Sequence, residues 1–180
     1  MNSLDSLDSS DSLDSSDSLD SSDSLDSLNK LFNLAIQKIT EDQSCDMLCL
    51  ALYLKKYCGD DWKQYIGNEL NSYSKYLVKS NELLDMYIIT WPVKSESKIH
   101  DHPNYGCIMR ILQGELCEDE YIILNGVVQY VKTNKLDCDS LGFKKGHEVL
   151  HKIKNISDDV TISLHLYSRG GYKMNLYNTN

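Results

Sequence analysis

The chain has 180 residues, with 27 acidic residues against 18 Lys and Arg and a formal net charge of −9. That sign, with no basic patch, speaks against a nucleic-acid partner, and no stretch approaches the ~20 apolar residues a membrane span requires. Six cysteines (45, 49, 58, 107, 117 and 138) with no export signal read as free thiols of a cytoplasmic protein rather than a disulfide framework.

Residues 1–29 are Ser-Leu-Asp and Ser-Ser-Asp triplets, with Asp at 5, 8, 11, 14, 17, 20, 23 and 26. A period of three drifts around a helix and builds no apolar stripe. With no aromatic residue there is little to offset ordering entropy. The segment is expected to be a disordered acidic tail, and the remaining residues, 30–180, to be one nearly neutral domain.

Leu31 to Leu54 carries apolar residues at helical spacing, with a break expected at Gln43-Ser44 and with Cys45 and Cys49 as core positions. Asp60-Asp61 introduces a third helix predicted over Trp62 to Leu70, which completes a helical part at 30–72. From Asp85 the period changes. Strands are predicted at Met86–Trp91, Ile108–Leu112, Tyr121–Leu124, Val127–Val131, Val149–Ile156 and Val160–Tyr167. Gln113-Gly114, Asn125-Gly126, Lys145-Gly146 and Ser157-Asp-Asp159 supply the turns. Many short strands with hairpin turns make the chain mainly β, an antiparallel sandwich or barrel over 83–180 with helices packed on it.

His100 and His102 are two apart and would share one face of an extended strand. His151 lies in another strand. Three neutral imidazoles without a carboxylate suit a divalent first-row metal with positions left open. In Val160–Tyr167, Ile162, Leu164 and Leu166 fall on one face and Ser163, His165 and Tyr167 on the other. The polar row is either solvated or lines a pocket. Asp101 should face away from the metal as a structural acceptor, and His147 reads as a loop residue rather than a ligand.

These motifs resemble the cupin superfamily. His100-Asp-His102, Cys107 and Gly114 follow its first motif, with cysteine in the usual place of glutamate. His151-Lys-Ile-Lys-Asn155 follows the end of the second. Together with Leu112-Gln-Gly-Glu-Leu-Cys-Glu118 and Ser163-Leu-His-Leu-Tyr-Ser168, the chain is similar to the thiol dioxygenases, and within them to cysteine dioxygenase type I, roughly over Tyr73 to Ser168.

The resemblance implies one Fe(II) per chain on His100, His102 and His151, a small thiol substrate and O2, and a monomer. It implies catalytic roles for Ser163, His165 and Tyr167, and a thioether between Cys107 and Tyr167. The spacing alone favours reading Cys107 as a small buried hydrophobe, and it is the presence of Tyr167 that favours the thioether. The family's substrate arginine, in a Tyr-x-Arg run, is replaced here: Tyr73-Ser74-Lys75 keeps the tyrosine but offers a point charge instead of a planar fork. Lys75 is thus either the substrate cation or a surface residue, and Arg169 is a second candidate cation. L-Cysteine is the expected substrate. 3-Mercaptopropionate, cysteamine or a non-catalytic metal-binding cupin are the alternatives.

Overall fold

The computed structural model describes residues 25–42 and 46–179. Helix α1 (Leu28–Glu41) starts where Ser27 caps it by accepting from the Lys30 amide at 3.2 Å. Its buried residues, Leu28, Leu31, Phe32, Ala35 and Ile39, follow helical spacing along one stripe. A 3-10 turn over Met47–Leu50 runs into α2 (Ala51–Lys56).

Ten strands follow: β1 (Ser74–Ser80), β2 (Asp85–Trp91), β3 (Ile99–His100), β4 (Cys107–Gln113), β5 (Leu116–Leu124), β6 (Val127–Leu136), β7 (Leu141–Lys144), β8 (Val149–Lys154), β9 (Thr161–Tyr167) and β10 (Leu176–Tyr177). They form two antiparallel five-stranded sheets, in the orders β1-β2-β9-β4-β7 and β10-β3-β8-β5-β6. The mainly β sandwich read from the sequence is the architecture observed.

Period-2 alternation decides what each face of the first sheet does. Ile88, Ile108, Ile162, Leu164 and Leu166 point outward and pack on Leu28, Leu31, Leu50 and Leu54 of the helices. Ile89, Trp91, Met109 and Ile111 point inward and meet Leu116, Leu136 and Ile153 of the second sheet. Leu164 is fully buried, so truncating it to alanine should cost about 2–5 kcal/mol. Arg110 of β4 fastens the helices to the sheet, donating to the Tyr57 carbonyl at 2.6 Å and pairing with Asp139 at 2.6 Å.

Some expectations need correction. The domain does not begin at residue 30. Leu25 and Leu28 belong to the core, Leu25 bridges Tyr57, and the Leu28 amide donates to Asp61 Oδ2 at 2.9 Å. Residues 1–24 of the expected tail lie outside the described residues, as do Cys45 and the break at Gln43-Ser44.

The third helix shrinks to a 3-10 segment over Asp61–Tyr65. The chain is then drawn onto the sheet, where the Gly67 amide donates to Thr90 Oγ1 at 2.9 Å. Cys49 is disulfide-bonded, while Cys58, Cys107, Cys117 and Cys138 are free thiols as expected. Among the described residues no helix is long and apolar enough to cross a membrane.

Candidate metal centre and pocket

The three histidines come together between the sheets. His100 and His151 are direct partners across β3 and β8, and the ring nitrogens of His100, His102 and His151 lie within 4.8 Å of one another. His102 is not on a strand, since β3 ends at His100. Its amide is instead held by the Gly146 carbonyl at 3.1 Å.

Hydrogen bonding fixes which nitrogens face inward. His100 Nδ1 lies 2.9 Å from the Lys98 carbonyl, which can only accept, so this nitrogen carries the proton and Nε2 is bare. His151 Nδ1 likewise donates to Glu118 Oε1 at 2.7 Å. The two bare Nε2 atoms then face each other at 3.1 Å, and His102 Nε2 stands 3.0 Å from His151 Nε2. Two acceptors at that distance repel unless a cation lies between them. Burial lowers the pKa of all three rings, so protons are disfavoured there. A divalent metal is the cation this donor set fits.

Asp101, between the two histidines, is fully buried and points away from them. Its Oδ1 accepts from Tyr172 Oη at 2.6 Å and the Asn175 amide at 2.7 Å. Its Oδ2 accepts from His147 Nδ1 at 2.7 Å, Asn175 Nδ2 at 2.7 Å and Tyr177 Oη at 3.1 Å. Burial pushes the Asp101 carboxyl up, but the hydrogen bonds from Tyr172, Asn175 and His147 outweigh that and hold it below the usual carboxylate range.

A pocket opens beside the histidines, lined by Tyr73, Lys75, Trp91, His165, Tyr167 and Met174 among others. Lys75 points into it, with its ammonium 3.9 Å from the Tyr87 ring centre and 4.2 Å from that of Tyr167. Burial lowers its pKa. Arg169 is exposed, rests 5.1 Å over the Tyr105 ring and lines no part of this pocket. Tyr73 stacks on Trp91 at 4.8 Å.

The Ser-His-Tyr row of β9 is entirely buried. Trp91 Nε1 can only donate, so Ser163 Oγ accepts from it at 2.8 Å. The Ser163 proton then goes to His165 Nε2 at 2.8 Å, leaving the imidazole proton on Nδ1, which faces Cys107 Sγ at 3.8 Å. The His165 and Tyr167 rings stack at 5.9 Å, because side chains two apart on a strand project in parallel.

Cys107 and Tyr167 are direct cross-strand partners on β4 and β9, a placement that sets Cβ atoms about 5 Å apart. Burial pushes the Cys107 thiol up to about 12, and the Tyr167 phenol well above its ordinary value.

A sequence model of the family described as cysteine dioxygenase type I matches residues 13–179. The chain belongs to that family. The match reaches well beyond the Tyr73 to Ser168 span of the motifs. Cysteine dioxygenase type 1 of Homo sapiens is 29% identical over 126 aligned residues, with 60% of this chain and 56% of the relative covered. The Danio rerio protein of the same name is 27% identical over 127 residues, covering 60% and 57%. The alignment thus spans a little over half the length of these relatives.

Among solved structures, the fold is similar to that of TT1209 from Thermus thermophilus, with a TM-score of 0.51 and 16% identity over 61% of this chain and 94% of the other. A Klebsiella pneumoniae protein with a double-stranded β-helix domain gives 0.50 and 19% over 65% and 94%. These likenesses concern the fold alone.

Sequence reading passed over Glu118, Trp91, Met174 and Lys144. For Glu118 a signal existed: a carboxylate in phase with the apolar Leu116, on the inward face of a strand.

Proposed function

We propose that this member of the family is an Fe(II)-dependent thiol dioxygenase that converts L-cysteine to cysteine sulfinate. The observation that carries the reading is the joint presence, around one buried pocket, of three convergent histidines, Lys75 and the Cys107–Tyr167 pair. The reaction balances without an external reductant: R–SH and O2 give R–SO2H, both oxygen atoms ending on sulfur.

His100, His102 and His151 would hold the iron. When bound, Fe(II) supplies Lewis acidity that makes a thiol more acidic and a centre at which sulfur and O2 can meet. Lys75 would pair with the substrate carboxylate and fix the direction in which the thiol points. Trp91 and Ser163 hold His165 in one tautomer, so its Nδ1–H is available at the pocket wall. Tyr167 stays a neutral phenol because it is buried, and so can donate a hydrogen bond to substrate or product oxygen. The stacked Tyr73 and Trp91 rings, with Met174, exclude water from the reacting sulfur.

Lysine in the arginine position favours a second reading, with another small thiol such as 3-mercaptopropionate or cysteamine preferred. The survival of all three ligands with the Ser-His-Tyr row argues against a non-catalytic cupin. A thioether joining Cys107 to Tyr167, a monomeric state and a cytoplasmic location belong to the same proposal. The test is anaerobic loading with Fe(II), then O2 uptake with a panel of thiols and mass spectrometry of products. A sulfinate formed fastest from cysteine supports the reading, and a preference for cysteamine removes L-cysteine as the substrate. No uptake with any thiol removes the activity.

A further inference from the structure

Of the three candidate ligands, one alone is backed by a charged acceptor. His100 Nδ1 donates to a neutral carbonyl, and His102 Nδ1 is buried with no hydrogen-bond partner. His151 Nδ1 donates to Glu118 Oε1 at 2.7 Å, with both side chains almost completely buried. A carboxylate behind an imidazole raises the basicity of the far nitrogen and fixes the ring's tautomer and direction.

Glu118 is itself held. Its Oε2 accepts from Lys144 Nζ at 3.1 Å and from Asn134 Nδ2 at 3.2 Å. Lys144 and Asn134 also donate to Glu120 Oε1, each at 2.9 Å. Glu118 and Glu120 lie on β5 and Asn134 on β6 of the second sheet. Lys144 reaches across from β7 of the first sheet, where it stands opposite Cys107. Both oxygens of Glu118 are therefore occupied, and the carboxylate cannot rotate away from His151 without breaking a buried ion pair.

Such a cluster is a poor device for stability. Desolvating two carboxylates and an ammonium costs more than apolar residues of the same volume would. The Glu118 carboxylate sits where its charge favours a dication on the far side of His151.

We propose that Glu118, clamped by Lys144 and Asn134, is the positioning residue that presents His151 Nε2 and sets the affinity of the three-histidine site for a divalent metal. This concerns the metal and not the thiol. It is tested without substrate or O2, so its failure is separate from failure of the dioxygenase reading.

The measurement is anaerobic titration of the metal-free protein with Co2+, read by its visible absorption, with thermal unfolding of each variant as the check on folding. Glu118→Gln keeps the shape and removes the charge, and is expected to weaken Co2+ binding about 10–100-fold. Where it does not fold, Glu118→Asp, which pulls the carboxylate back from His151, is expected to weaken it likewise.

Lys144→Met should weaken binding and Lys144→Arg restore it. If Lys144→Met fails to fold because Glu118 and Glu120 then repel, the double variant Lys144→Met with Glu120→Gln carries the same test. Folded Glu118→Gln with wild-type Co2+ affinity overturns the proposal. Wild-type affinity in folded Lys144→Met, or in the double variant where that one is needed, overturns the clamp.

Discussion

Replacing Lys75 by methionine keeps the apolar stem and removes the ammonium. A charge-assisted hydrogen bond contributes on the order of 1.5–3 kcal/mol, and a lysine's single contact belongs at the low end. The ammonium also lies 3.9 Å and 4.2 Å from two aromatic ring centres. A bound carboxylate therefore competes with a cation–π attraction of about 0.5–2 kcal/mol.

With the weakest competing attraction, the net loss for Lys75→Met is then about 1 kcal/mol, or roughly fivefold in kcat/KM for cysteine. It should appear as a raised KM, with little change for cysteamine, which has no carboxylate. Lys75→Arg should improve cysteine use. Burial lowers the Lys75 pKa from 10.5, so its charge is lost as pH rises through a value below that of a free lysine. The advantage of cysteine over cysteamine should fall with that charge as pH rises, and should persist to higher pH in Lys75→Arg. Steady-state O2 consumption with both thiols provides the assay. Unchanged cysteine kinetics in Lys75→Met would refute the assignment of Lys75 to the carboxylate.

Deleting residues 1–24 should leave unfolding by urea within about 0.5 kcal/mol of the full chain, whereas deletion through residue 29 removes buried Leu25 and Leu28 and the Ser27 cap and should cost at least about 3 kcal/mol. After exposure to Fe(II), thiol and O2, intact mass should fall by the ~2 Da of two hydrogens lost in joining sulfur to a ring carbon, and Cys107→Ser should abolish the deficit; an unchanged mass denies the bond. Burial lowers His165 well below 6.5, so the unfolded chain takes up a proton first. Stability present above pH ~6.5 should therefore decline on acidification by about 1.4 kcal/mol per pH unit for this group, and His165→Asn should flatten that slope.

How much could be read in advance depended on periodicity. β9 announced itself because seven residues alternate without a break, and both of its faces are where alternation puts them. The His-x-His pair was visible as a motif, although only His100 owes its place to a strand. β1 was missed because Tyr76, Leu77 and Val78 are consecutive apolar residues, and the pairing shifts register between Leu77 and Lys79, which breaks the period of two. β3 and β10 are two residues each, too short for any pattern. β7 holds only four residues, and its Gly142 sits where a Cβ would meet Met109 Cε at 2.7 Å. Glu118 and Lys144 were passed over because their meaning comes from partners in other strands. Lys75 showed its residue type but not its direction, which the edge strand β1 decides.

The five hydrogen bonds into Asp101 also bear on the order of folding. Their donors include Tyr172, Asn175 and Tyr177, separated from Asp101 by 71, 74 and 76 positions along the chain. The strand that carries His100 has two residues and pairs on one side with β10 from that same distant segment. Contacts across such loops are closed late, once nearer contacts have reduced the entropy of closure. A refolding chain should thus close the segment 172–177 onto Asp101 before it can grip a metal. Metal added to the collapsed but unfinished chain would find histidines without their final aim.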